Sequence, residues 1–160
     1  MYVAVSRSAE RSREGPHMKK SEKIVVVGVD GSKTASKAAM RAAQIAAESG
    51  SKLVVLTAFT KDKTDRIEIG DKAWSVTAED EAEATADLVS RTLKPITSNI
   101  EITAMRGKPA QALVAEAKRR NASLIVVGNR RVQGPSRVFG SIAQTVSRTA
   151  PCDVCIVKTV

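Results

Sequence analysis

Aromatic residues are almost missing from this 160-residue chain, at 2% of the sequence. A core built without them must be filled by Ala, Val, Ile and Leu, and the surface has few platforms on which nucleic-acid bases could stack. Cysteine is nearly as scarce. Cys152 and Cys155 formally make a C-x-x-C, a spacing that serves redox chemistry at a helix start. Here they sit in Cys152-Asp153-Val154-Cys155-Ile156-Val157-Lys158, which reads as a strand. Residues three apart on a strand face opposite ways with Cα atoms about 10 Å apart, whereas a disulfide needs less than about 7 Å. The pair therefore reads as two free thiols in a reducing, cytoplasmic compartment. His17 is the single histidine, which leaves no histidine-based metal cluster and no catalytic triad. No apolar run approaches the roughly 18 residues of a membrane-spanning helix. Residues 1–17 have no apolar stretch of the secretory kind.

What is present is ordinary for a globular domain: 42% hydrophobic and 27% charged residues. The length fits one domain with a short tail. The net charge is +9 with a pI near 9.9, which attracts anions without naming one. Residues 1–21 carry five basic and two acidic side chains, +3 of that total, and show no periodicity. They read as a basic disordered arm, as a leader upstream of a start at Met18, or as a cloning remnant around Gly15-Pro16-His17-Met18. The remaining basic residues are scattered, so a nucleic-acid role is disfavoured.

From residue 22 the pattern alternates. Ile24-Val25-Val26-Val27 is a β-branched run closed by Gly28-Val29-Asp30-Gly31. Ser32 is placed to cap a helix whose apolar face is Ala35, Ala38, Ala39, Ala42 and Ala46, with Gly50 ending it. Lys52–Phe59 reads as a second strand and Thr60–Trp74 as polar and irregular. A second helix is expected over Ser75–Leu93, stopped by Pro95, then a half-buried strand over Asn99–Met105. Pro109 starts a third helix that buries Ala110, Leu113, Val114 and Ala117. Leu124–Val127 is a fourth buried strand. A fourth helix near Gly140 turns Phe139, Ile142, Ala143 and Val146 inward, and Asp153–Lys158 is the fifth strand. This βαβαβαβαβ order predicts an α/β domain with an open, parallel, Rossmann-like sheet and helices on both faces.

In such sheets a ligand lies beyond the carboxyl ends of the strands, where the strand order reverses. With the first and fourth strands as neighbours, that crevice falls between Val29–Ser32 and the loop 128–141. Gly128, Gly134 and Gly140 allow close backbone approach and positive φ. Gly140-Ser141 sits at a helix start, where free amides favour an anion, and Ser141 can cap the helix or donate to a phosphate oxygen. Arg130, Arg131 and Arg137 add fixed positive charge. Asp30 can accept a ribose hydroxyl across the crevice, or simply bond its own turn. Neither a G-x-x-x-x-G-K-[ST] loop nor a G-x-G-x-x-G after the first strand is present.

These segments together resemble the universal stress protein family. The resemblance covers residues 22–160. It rests on Val26-Val27-Gly28-Val29-Asp30-Gly31-Ser32, on Arg106-Gly107-Lys108-Pro109-Ala110, and on Ile125-Val126-Val127-Gly128-Asn129 leading to Gly140-Ser141-Ile142-Ala143. The closing stretch Ala150–Lys158 also fits. It implies a five-stranded parallel sheet of order 3-2-1-4-5 (adenine nucleotide alpha hydrolase-like) and a homodimer paired through the last strand. Some members bind ATP through G-x2-G-x9-G-[ST], with Mg2+ as the usual companion of the triphosphate. Carried onto this chain, Gly128 is the first glycine, flanked by Val127 and Asn129, and Gly140-Ser141 is the last pair. Asp30 takes the ribose or adenine contact, Ile142 a backbone phosphate contact, and Ala58 lies beside adenine. Arg131 stands at the second glycine position with eight residues between it and Gly140, and Gly134 falls inside this shortened loop.

Two further readings come from the same residues. The Arg131 departure suggests a dimerising stress protein that binds no ATP and acts through protein partners. A hydrolase or nucleotidyl-transfer enzyme would need a general base or a paired metal carboxylate near the loop. The sequence offers only Asp30, so an enzyme is not expected beyond slow ATP hydrolysis.

Overall fold

The β-branched and aliphatic runs form the strands of a central sheet. The computed structural model describes residues 21–60, 64–129 and 140–159. In chain order the elements are β1 (Ile24–Gly28), α1 (Lys33–Ser49), β2 (Lys52–Phe59), β3 (Thr64–Ile69), β4 (Lys72–Thr77) and α2 (Ala78–Leu93). They continue with β5 (Ile100–Arg106), α3 (Pro109–Arg120), β6 (Leu124–Asn129), α4 (Ser141–Thr149) and β7 (Asp153–Lys158). Five strands make one sheet in the order β5-β2-β1-β6-β7, every pairing parallel. Counting only these strands, this is the expected order 3-2-1-4-5.

Side chains alternate across the sheet, so each strand feeds two cores. Val25, Val27, Leu53 and Val55 pack beneath α1 and α2. Val26, Val54, Leu56, Ile125 and Val127 pack beneath α3 and α4. Each such valine or leucine contributes about 1.5–3 kcal/mol by leaving water. The fully buried residues of α1 are all alanine, Ala38, Ala39, Ala42, Ala43 and Ala46, with Ile45 half-buried against the same core. Cys155 packs with the first core and Cys152 with the second, on opposite faces as their spacing predicts. Both thiols are free, and burial, helped by Asp153, pushes the Cys152 thiol up.

The helix ends are set locally. Ser32 Oγ accepts from Ala35 N at 3.2 Å to cap α1, and Gly50 closes it at φ 61°, where a side chain would be strained. The polar stretch after β2 departs from expectation. Instead of being irregular it forms an antiparallel hairpin, β3–β4, with Thr64 opposite Thr77 and Arg66 opposite Ser75. The second helix accordingly starts at Ala78, not Ser75. Thr77 ends the hairpin and caps α2: its N–H donates to Asp80 Oδ2 at 2.7 Å, and Asp80 N–H donates to Thr77 Oγ1 at 3.1 Å. That backbone hydrogen bond holds the Asp80 carboxyl below its ordinary range.

At the amino ends of the strands the charges find one another. The Glu116 side chain on α3 is only 1% exposed. It accepts from Arg119 Nε at 2.8 Å and from Arg120. Arg120 continues to Glu101 on β5, which lies 3.8 Å from Lys52 Nζ on β2. Lys52 also meets Glu22 at 3.2 Å. The Arg119 hydrogen bond, reinforced by Arg120, holds the Glu116 carboxyl low against the opposing push of burial. This network ties the end of α3 to the edge strand β5.

Candidate functional site

At the opposite end, the carboxyl ends of β1, β2 and β6 surround a cavity of about 410 Å³, within the usual range for small-ligand sites. It lies where β1 changes from pairing with β2 to pairing with β6, the reversal point the topology singles out. One wall is apolar: Leu56 and Ala58 from β2, with Pro109 and Leu113 from α3. Gly28 faces that wall, and a Cβ built there would stand 3.0 Å from Leu113 Cδ1, so the absent side chain lets α3 close in.

A second wall comes from the turn after β1. Val29 N–H donates to the Leu56 carbonyl at 2.8 Å, which carries β1 one residue further before the chain turns. Asp30 is exposed at the rim, and its Oδ1 accepts from Ser32 N at 3.0 Å. The residue bonds its own turn, and it also lines the cavity. Gly31 adopts φ +77°, a conformation that strains any L side chain. Ser32, Thr34 and Ala35 complete this wall.

The third wall is Val127 and Gly128 with the first turn of α4: Gly140, Ser141, Ile142 and Ala143. Amides of a first helical turn have no acceptor within the helix and carry the positive end of its dipole. Among the described residues Gly140 N–H is met by Asn129 Oδ1 at 3.4 Å, a long bond. A Cβ at Gly140 would meet no described residue within 4 Å.

Several sequence expectations need correction here. Ser141 does not cap α4. The N-cap is Gly140, without a side-chain hydrogen bond, and Ser141 is exposed in the first turn. Ile142 does not turn inward with Ala143 and Val146. It is 40% exposed at the cavity mouth, because the buried stripe of this short helix is only two residues wide. Neither Gly128 nor Gly140 is among the glycines with positive φ. At Gly128 the constraint is space: a Cβ would stand 3.3 Å from Thr34 O and from Thr159 Cγ2. Arg131 and Gly134, with Arg130, Arg137 and Phe139, lie outside the described residues.

Asp30, Ala58, Val127, Gly128, Gly140, Ser141 and Ile142 thus come together around one cavity, and Asn129 stands behind it on Gly140. Sequence reasoning left out Gly28, Thr34, Leu56, Pro109 and Leu113. The parallel register could have found Leu56, which stands opposite Gly28. Pro109 and Leu113 depend on α3 crossing over β1, which periodicity does not specify. Among the described residues no group of three or more His, Cys, Asp or Glu could hold a metal ion. No described helix is long and apolar enough to cross a membrane.

Comparison with known proteins places this geometry in context. The profile of the Universal stress protein family matches residues 22–158. Universal stress protein Rv1636 of Mycobacterium tuberculosis is 36% identical over 142 residues, covering 86% of this chain and 97% of the relative. Universal stress protein MJ0531 of Methanocaldococcus jannaschii is 27% identical over 141 residues, 85% of this chain and 82% of its own length. Among solved structures, a universal stress protein in complex with cAMP superposes with a TM-score of 0.68 at 32% identity, covering 88% of this chain and 99% of its own. An Archaeoglobus fulgidus universal stress protein in complex with dAMP shares the fold at a TM-score of 0.59 and 22% identity, covering 86% and 98%.

Proposed function

The chain belongs to the universal stress protein family, and from that premise we propose that it is a regulatory module of the stress response whose cavity binds an adenine nucleotide. The observation that carries this reading is that Asp30 and the first turn of α4 face one cavity from opposite rims, with an apolar slot between them. The slot of Leu56, Ala58, Pro109 and Leu113 takes the adenine. Asp30, with one carboxylate oxygen engaged by Ser32, offers the other to a ribose hydroxyl. The amides of Gly140, Ser141 and Ile142 receive the phosphate, and Val127, Gly128 and Asn129 form its back wall. The related structure with cAMP, of the same fold, supports the ligand class.

ATP is the triphosphate form of this proposal. Its Mg2+ is carried by the phosphates, and the family resemblance assigns Arg131 and Gly134 to the same motif. The module acts by binding and not by turnover, in the cytoplasm, as a homodimer through β7. That strand is a sheet edge with half-buried Val154, Ile156 and Val157, and pairing with a second copy would satisfy its free backbone groups. The Arg131 departure favours one alternative, a dimer that binds no nucleotide and acts through protein partners.

Calorimetry and thermal shift with cAMP, AMP and ATP test the ligand. We expect saturable heat with at least one of them and a melting temperature that rises with its concentration. No heat and no shift at millimolar nucleotide overturns the reading in favour of the alternative. Asp30→Ala should cost about 1.5–3 kcal/mol of binding, as for a hydrogen bond to a charged group. Sedimentation of the full chain tests the dimer, and a turnover above about one per second would make the protein an enzyme after all.

A further inference from the structure

The chain does not stop at the sheet edge. After β7 it folds back behind the cavity, and Thr159 is buried there at 4% exposure. Its hydroxyl donates to the Asn129 carbonyl at 2.7 Å, and its own carbonyl accepts from Lys37 Nζ at 3.0 Å. Its methyl group fills the space that Gly128 leaves: a Cβ on Gly128 would approach Thr159 Cγ2 to 3.3 Å. Thr159 is therefore held from α1 through Lys37, and it in turn holds the end of β6 by a hydrogen bond and a packing contact.

The residue it holds matters. The Asn129 peptide is pinned by Thr159, while the Asn129 carboxamide reaches the Gly140 amide at 3.4 Å. That bond is longer than the usual 2.9–3.0 Å, and a phosphoryl oxygen would make a stronger, charge-assisted one. An anion arriving at Gly140 would take over that weak bond at an amide the Asn129 side chain has already held in place, so loosening the hold costs affinity.

We propose that Thr159 is a positioning residue for the phosphate end of the cavity: its hydroxyl fixes the Asn129 peptide, and through the Asn129 carboxamide it sets the state of the Gly140 amide before ligand arrives. The role of the phosphate end rests on the adenine-nucleotide reading above. The link from Thr159 to Gly140 does not. The same contacts join the β7 edge to the cavity, so a change at that edge is felt at Gly140 through two side chains.

The test uses the full chain with Thr159→Val, which keeps the methyl against Gly128 and removes the hydroxyl, and Thr159→Ser, which keeps the hydroxyl. The Gly140 amide resonance is followed by 15N NMR without ligand, and cAMP affinity is measured by calorimetry. We expect the Gly140 resonance to move in Thr159→Val and to stay near wild type in Thr159→Ser. We expect cAMP affinity to fall at least fivefold in the valine variant and less than twofold in the serine variant. An unmoved Gly140 resonance in Thr159→Val overturns the proposal. So does unchanged cAMP affinity in that variant, or an equal loss in both variants, which would mark Thr159 as a packing peg. If the wild-type chain binds no cAMP, AMP or ATP, the nucleotide reading fails by itself. The resonance then decides the Thr159 link alone, movement supporting it and no movement overturning it.

Discussion

The two ends of the sheet are built on opposite terms. At the amino ends, Glu22, Lys52, Glu101, Glu116, Arg119 and Arg120 form a continuous chain of ion pairs and hydrogen bonds. At the carboxyl ends the donors are backbone amides, one of them met by a long bond, and Gly140 leaves space that no described protein atom fills. The first end spends its polar groups on itself. The second keeps them in reserve. Stability and binding are thereby separated along the strand direction by the length of the sheet.

The largest effect should come from the satisfied end. Glu116→Ala removes the buried carboxylate and leaves the half-buried Arg120 without one of its two carboxylate partners, and chemical denaturation should show a loss of about 3 kcal/mol. The cavity should be unaffected, and a matching loss of cAMP affinity would break the comparison. The same residue has a pH signature. Its carboxyl is depressed in the folded state, so its contribution is complete above the ordinary 4.5. It drains away as the pH falls through the lower folded value. Thermal melts should therefore drop on acidification below about pH 4.5, with a flatter profile in Glu116→Gln.

Next in size is Gly28→Val. Its Cβ would stand 3.0 Å from Leu113, so α3 must move. A cost of about 1–3 kcal/mol is expected from overpacking, with nucleotide binding lost as well. Ser32→Ala removes the α1 cap and should cost about 1 kcal/mol. That shows the cavity end is not wholly free of structural duty. Smallest is Ser141→Ala, whose exposed side chain caps nothing. The melting temperature should stay within error, and calorimetry should show slightly weaker nucleotide binding, because the hydroxyl that can donate to a phosphate oxygen is gone while the amide remains. A clear loss of stability there would erase the distinction between the ends.

The fold was legible because its signals are local and repeated. Four-residue aliphatic runs, alanines at helical spacing, Ser32 and Gly50 each name an element without help from the rest of the chain. The hairpin was legible but went unread: Ile67 and Ile69 alternate with Glu68, Trp74 and Val76 with Ser75, and Gly70-Asp71 is a two-residue turn between them, while Thr77 serves both a strand end and a helix cap. The family resemblance located the cavity from both sides, through Asp30 and Gly140-Ser141. It did not supply the apolar wall from α3, which depends on how helices pack across the sheet. Ile142 misled for a related reason: in a nine-residue helix with two buried positions, spacing alone cannot tell the inner face from the mouth. Thr159 carried no motif at all. Its part is visible only where the chain returns behind Gly128.

The buried alanines of α1 have a consequence for how this protein can vary. Alanine gives up no rotamers on folding and offers none to adjust afterwards. A leucine on the helix can absorb an added methyl group by swinging its own side chain, but an alanine has none to swing. Any enlargement at Ala38, Ala42 or Ala46 presses on the strand side chains beneath and pushes the helix outward, and with it the Ser32–Ala35 wall of the cavity. Five of the smallest side chains in the molecule therefore act as the shim that sets the height of the binding-site rim.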